Sequence, residues 1–389
     1  MIFKAAFKNI IGAGKRTWLN VMALSLTFVL MTGYNGIEDG WKEKAWRDSK
    51  AWETGAAHLW HPHYDRYDIF TLSDAHGPIP QSLQPYINNK ALTPILVTQG
   101  VIYPQGRMLN VLLQGIDPEQ TILKIPSSEL LNNDNELVAI IGTRMAESSR
   151  LHEGDRVMLR WRDHKGSFDA CEVIIAKVFH TTVPNVDNGQ FWIDINQLQK
   201  MTGMYEEATY LVASDQFPYK SDVDGWLYKG LKFLLADFEM VLRAGRIESF
   251  IIFGVLLAIA LLAVFDTQTL AIFRRQKEIG TCVALGMTPT RVSLLFTLEG
   301  TCFSILAIMV SVVWGTPAMA LFAKIGYKMP DLAGEIGMEV GNMMYPTFKT
   351  SSILISAGVI VCLSALISYL PARKIAKQNT VEALKGKIV

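Results

Sequence analysis

Arg274-Arg-Gln-Lys-Glu-Ile-Gly-Thr-Cys-Val-Ala-Leu-Gly-Met-Thr-Pro-Thr-Arg291 joins two long apolar segments and is too polar to be part of either. It must lie in water. The stretch reads as a short helix with Arg274, Arg275 and Lys277 at its entrance and Ile279, Gly280, Val283, Ala284 and Leu285 behind. Gly286 falls where a helix ends on a residue that tolerates positive φ, and Thr288-Pro289 supplies an N-cap followed by proline at the first helical position. One helix therefore stops at this elbow and another starts. A basic entrance with a small-residue apolar face suits a surface on which a soluble partner pushes.

Outward from the elbow the chain is that of a membrane protein. Of its 389 residues 50% are hydrophobic, and the apolar ones concentrate in four long segments, at 17–37, 247–270, 290–323 and 351–370. The first holds 21 residues without a charge, enough for a helix of about 30 Å, the thickness of the hydrocarbon core. It is longer than a signal-peptide core and has no evident small-x-small cleavage site, so a retained anchor is expected. Lys4, Lys8, Lys15 and Arg16 precede it with no acidic residue before Glu38, and the tail 371–389 carries Arg373, Lys374, Lys377, Lys385 and Lys387 against Glu382 alone. By the positive-inside rule both ends and the elbow, 274–288, are cytoplasmic.

Residues 1–16 place Ile2, Phe3, Ala6, Phe7, Ile10 and Ile11 at helical spacing opposite Lys4 and Lys8, the pattern of a helix lying in the membrane interface. Residues 38–245 are polar and too long for a linker, so a folded extracytoplasmic domain is expected there. Strand-like runs at 108–116, 137–141, 155–162, 171–179, 190–195 and 208–214, with helical patterns at 143–151 and 196–202, make it α+β. Asp163-His-Lys-Gly-Ser167 is a hairpin connection. Residues 226–245 read as an amphipathic helix entering the second span, and 324–349 as a short extracytoplasmic loop.

All seven histidines lie in the domain. His58, His61 and His63 are close in sequence, but no paired cysteine or carboxylate accompanies them at ligand spacing, so an aromatic-rich surface around Trp60, Tyr64 and Tyr67 is preferred to a metal site. Asp266 and Glu299 stand inside the second and third spans, where ionisable groups are expensive and need a partner or water. Either both face the bundle near the elbow, or both reach the membrane interface. Gly12-Ala-Gly-Lys-Arg-Thr17 lacks the frame of a phosphate loop, Gly386-Lys387 lacks the following Ser or Thr, and no nucleophile and base stand together. No catalytic residue, metal ligand or nucleic-acid partner is assigned.

The run Glu278-Ile-Gly280 with Ala284-Leu-Gly286 resembles the first cytoplasmic loop of a family of ABC transporter permeases that includes the lipoprotein-releasing permeases, the macrolide exporter and the cell-division permease. Glu299-Gly300 also resembles a pair found after that loop. The Pro371-Ala-Arg373 and Val381-Glu-Ala-Leu384 tail is similar to the family's ending, with Thr380 where proline is usual. Gln114-Gly-Ile-Asp-Pro118, Gly154-Asp-Arg-Val157 and Val183-Pro-Asn-Val-Asp187 before Phe191-Trp-Ile-Asp194 resemble the outer domain of the lipoprotein-releasing members.

The resemblance implies four transmembrane helices with the α+β domain inserted between the first and second, in a bacterial inner membrane, with that domain periplasmic. It implies that Arg274, Arg275, Lys277, Glu278, Ile279, Gly280, Ala284, Leu285 and Gly286 dock on a separate ATPase. Two copies of that ATPase, carrying ATP and Mg, would act with this chain and a second permease chain, the same or a sister. The chain itself would not be an enzyme. Extraction of lipoproteins from the outer leaflet is the first expectation, export of peptides, drugs or other amphiphiles the second, and non-transporting regulation of cell-wall hydrolases the third.

Overall fold

The structure is a computed structural model that describes residues 15–131, 136–275, 281, 286–327 and 343–376. The chain divides into two compact units, one of Met1–Lys42, Val241–Lys328 and Met344–Val389, the other of Glu43–Met240 and Met329–Met343. In chain order the main elements are α1 (Lys15–Ser49), β1 (Ala57–Trp60), β2 (Leu92–Ile102), β3 (Leu109–Ile116), β4 (Val138–Gly142), α2 (Thr143–Ser149), β5 (Arg156–Arg162), β6 (Phe168–Phe179), α3 (Pro184–Asp187), β7 (Gln190–Asp194), α4 (Ile195–Thr202), β8 (Tyr210–Ala213), β9 (Leu227–Gly230), α5 (Ala236–Arg274), α6 (Pro289–Ile325) and α7 (Thr350–Ala376). Residues 1–14 and 377–389 lie outside the described residues, so the interfacial helix and most of the tail are not placed.

The α+β unit is built on one nine-stranded sheet in the order β9-β1-β8-β2-β3-β7-β4-β6-β5, and β5 also pairs back onto β2. Six strands thus close a ring. The pairs β3–β7 and β4–β6 are parallel and the others antiparallel. Closure leaves every ring strand with an inner and an outer face, because side chains alternate along a strand. β5 shows the alternation most plainly, with Val157, Leu159 and Trp161 buried and their neighbours exposed. These three join Leu96, Leu113, Ile141, Val173, Phe191 and Ile193 in one core, against which α4 sets Leu198 and α2 sets Met145. The opposite faces of the same strands form a second core with Ile95, Val97, Ile140, Trp192 and Val212. The hairpin between β5 and β6 turns through Asp163, whose N–H donates to Ser167 O at 2.9 Å and whose Oδ1 accepts from Lys165 N and Ser167 N.

Three parts of this unit depart from the sequence expectation. The helix begun at Lys15 runs on to Ser49, beyond the expected start of the domain at 38. Residues 227–230 are a strand paired with β1 rather than the start of an amphipathic helix. And His58 is inside the sheet, not on an aromatic surface. It is 6% exposed on β1, its ring stacks on Tyr210 at 4.9 Å, Trp60 Nε1 donates to its Nδ1 at 3.1 Å, and its Nε2 lies 3.3 Å from Glu53 O. An Nδ1 that accepts a hydrogen bond carries no proton, so the fold holds His58 neutral, with the proton on Nε2. Burial pushes its pKa down to about 4.

The other unit packs α1, α5, α6 and α7 around Val21, Leu24, Phe28, Leu257, Leu261, Val264, Phe303, Ala307 and Ile360. Among the described residues three helices are long and apolar enough to cross a membrane: Ala236–Arg274, Thr290–Ile325 and Thr350–Arg373. α1 is less apolar because Asn20, Ser25, Thr27 and Thr32 interrupt it, yet all four are buried. Ser25 explains why. Ser311 Oγ lies 2.9 Å from its hydroxyl, and Trp314 Nε1 donates to it at 2.8 Å, so polar groups tie α1 to α6. Asn20 Nδ2 likewise donates to Thr267 Oγ1, tying α1 to α5. α6 and α7 approach closely at Gly300, where a Cβ would stand 1.8 Å from Ser368 Oγ.

Two outcomes follow from this packing. Gly300→Ala is expected to cost about 1–3 kcal/mol through overpacking, read as a lower unfolding temperature of the purified chain, while Gly254→Ala, with nothing near its Cβ position, leaves it unchanged. For His58 the folded pKa lies below the unfolded 6.5, so between the two values the unfolded chain binds the extra proton. Its contribution is complete above about pH 6.5 and is lost as pH falls toward about 4, a range worth about 3 kcal/mol at most. Unfolding followed from pH 7 to pH 4 should show that loss, and His58→Gln should flatten the slope.

Candidate coupling site

The two ends of the elbow are described. α5 closes at Arg274, whose side chain is exposed, and Arg275 follows in a turn, half-buried. On the other side Gly286 has φ +97°, a value that strains any residue with a Cβ. Thr288 then stands at the N-cap of α6 in extended conformation and Pro289 at its first helical position. The Thr288 hydroxyl makes no capping bond; its carbonyl instead accepts from Arg291 N at 2.9 Å and Val292 N at 3.2 Å. Lys277, Glu278, Ile279, Gly280, Ala284 and Leu285 lie outside the described residues.

Arg275 reaches from the elbow into the helices. Its Nη1 stands 3.4 Å from Glu299 Oε2 and its guanidinium lies over the Phe296 ring, 5.5 Å from the centroid. Glu299 is 6% exposed, and a carboxylate so placed requires a partner. Beneath the pair Ile272 of α5, Val292 and Phe296 of α6 and Ala372 of α7 form a separate apolar cluster, with Met287 of the elbow packed on it. Ser293 Oγ, also in α6, lies 3.4 Å from Ala372 O. The foot of three helices and one end of the elbow are therefore one packed body.

Glu299 and Asp266 were indistinguishable as intramembrane carboxylates, and the structure separates them. Asp266 is exposed. The inward face of α5 is carried by Leu257, Leu261, Val264 and Gln268, all buried, and position 266 lies about 200° around the helix from 264 at about 100° per residue. The two carboxylates therefore do not share one placement, whether facing the bundle or reaching the interface: Glu299 is buried and Asp266 is exposed. Gln268, Phe296, Ala372 and Ser368 complete the site and carried no sequence signal, being ordinary residues of apolar or weakly polar helices. The histidines form no second site: His61 and His63 rings are 5.3 Å apart, but among the described residues no group of three or more His, Cys, Asp or Glu is placed to hold a metal ion.

Residues 250–380, which include α6, the elbow and all but the start of α5, match the family described as FtsX-like permease C-terminal. The chain is 25% identical over 153 residues to the ABC transporter permease YtrF of Bacillus subtilis (strain 168), covering 39% of this chain and 34% of that one. It is 29% identical over 119 residues to the macrolide export ATP-binding/permease protein MacB of Campylobacter fetus subsp. fetus (strain 82-40), covering 31% of this chain and 16% of that one. The matched stretches thus span about a third and a sixth of these two relatives. The matched region contains the elbow, its ion pair and the helices that the pair locks together, and over that region the chain is similar to FtsX/MacB-like ABC transporter permeases.

Proposed function

We propose that this chain is the membrane subunit of an ATP-driven transporter and that its elbow, Arg274 to Arg291, takes up force from a separate ATPase. The observation that carries the reading is the Arg275–Glu299 pair, which fastens the entrance of the elbow to the buried face of α6. A push on the elbow is then a push on α5, α6 and α7 together, a rigid-element movement rather than the opening of a hydrophilic pore. Two ATPase copies, carrying ATP and Mg, work with this chain and a second permease chain. α1 supplies the fourth span, both termini and the elbow face the cytoplasm of a bacterium, and the α+β unit lies on the outer side of its inner membrane.

Lipoproteins drawn from the outer leaflet are the first cargo class, supported by the short motifs of the α+β unit and by spans that bury few charges. Export of a smaller amphiphile is the second reading, favoured by the similarity to a protein named for macrolide export. Mass spectrometry of the complex taken intact from its own membranes separates them. An ATPase with an acylated protein supports lipoprotein extraction, an ATPase with a small amphiphile supports export, and no ATPase at all overturns the account of the elbow.

The coupling role has its own test. In proteoliposomes with the partner ATPase, Glu299→Gln is expected to lower permease-dependent ATP hydrolysis about tenfold, or about 1.4 kcal/mol of barrier. A variant that folds and leaves the rate unchanged removes the pair from the coupling path.

A further inference from the structure

Outside the helices, the α+β unit holds a cleft of about 690 Å³, within the usual size of small-molecule sites. Its floor is the outer face of the strand ring, with Trp192 of β7, continued by Tyr210 of the adjoining β8; Glu53, in the wide turn Lys50–Thr54 after α1, stands in its wall.

The charges of the cleft are not equally engaged. Both guanidiniums in its lining have carboxylate partners: Arg66 donates to Asp237 Oδ2 at 3.1 Å and to Leu234 O at 2.9 Å, and Arg144 to Asp187 Oδ2 at 3.1 Å. Glu53 is different. Its carboxylate receives one hydrogen bond among the described residues, from Asn185 Nδ2 at 3.0 Å. Burial raises its pKa, with the Asn185 bond and the charge of Arg66 opposing the rise. Beside it Tyr64 and Tyr210 stack at 5.7 Å, and burial pushes the Tyr64 pKa up to about 12 and that of Tyr210 well above its ordinary value. Both rings are neutral phenols at physiological pH. An under-satisfied carboxylate beside neutral aromatic faces, in a space far larger than one water, matches an organic cation on an apolar body.

We infer that this cleft binds a cationic amphiphile, an ammonium or guanidinium group carried on an apolar framework, with Glu53 as its counter-ion and Tyr64 and Tyr210 as its aromatic wall. The inference goes beyond the coupling role and does not depend on it.

The test uses the full chain in nanodiscs of zwitterionic lipid and two water-soluble probes of equal shape, N-acetyl-phenylalanyl-arginine amide and its neutral citrulline counterpart, followed by calorimetry. The arginine probe is expected to bind about tenfold more tightly, and Glu53→Gln to erase the difference. Tyr64→Leu, which leaves the carboxylate in place, should narrow it, and decides the matter if the Glu53 variant fails to fold. Equal binding of the two probes, no binding of either, or a preference that survives in a folded Glu53→Gln chain overturns the proposal.

Discussion

In a lipid environment apolar side chains gain nothing by leaving lipid for one another, so helices associate through close backbone approach and through polar contacts that hydrocarbon cannot replace. The helical unit is arranged around that constraint. α6 and α7 meet where Gly300 leaves no room for a Cβ against Ser368. α1 is held by Ser25 to Ser311 and Trp314, and by Asn20 to Thr267. Each such bond is worth about 0.6–2 kcal/mol in a membrane, so these few places fix the arrangement of helices that also share the apolar core around Leu24, Leu261 and Phe303. The outward residues of α5, among them Phe250, Ile251, Val255 and Ile259, are exposed, as lipid-facing or partner-facing positions must be.

The same constraint gives the Arg275–Glu299 pair its meaning. A buried ion pair is a poor source of stability, because desolvation consumes most of the Coulombic gain, yet removing one partner leaves a charge that the site cannot hold. Such a pair is therefore better suited to fixing an arrangement than to strengthening it. Here it fixes the first residue beyond α5 to the end of the third turn of α6, beside a cluster that also contains Ala372 of α7.

How much of this could be read from the sequence depends on how local the cause is. Gly286 with its positive φ, and Thr288-Pro289 at the start of α6, are dictated by neighbouring residues and were legible. So were β5, whose alternation is strict, and the Asp163–Ser167 hairpin. β2 escaped because Leu92-Thr-Pro-Ile-Leu-Val-Thr-Gln-Gly-Val-Ile102 is buried along nearly all its length and has no alternation to see, while Pro94 and Gly100 argue against a central strand. Ring closure by β2 and β5 is a long-range pairing that no window contains. The two intramembrane carboxylates show a further limit. On a helix that is apolar all round, period does not tell which side faces protein, so Asp266 and Glu299 could be separated only by packing.

β1, four residues that sequence reading passed over, connects several of these features. It carries His58, whose ring stacks on Tyr210 of the cleft floor and whose Nε2 faces the carbonyl of Glu53 in the cleft wall. Trp60, the donor to His58 Nδ1, stands edge-on to Tyr64 at 5.0 Å. A charged His58 could not accept from Trp60, and the ring contacts that hold Tyr64 and Tyr210 beside Glu53 would lose their support. The neutral histidine is thus a structural part of the cleft. The cluster of histidines that suggested a metal in the sequence has its explanation, for His58, in the opposite requirement: both ring nitrogens are occupied by the protein itself, and neither is left for a metal ion.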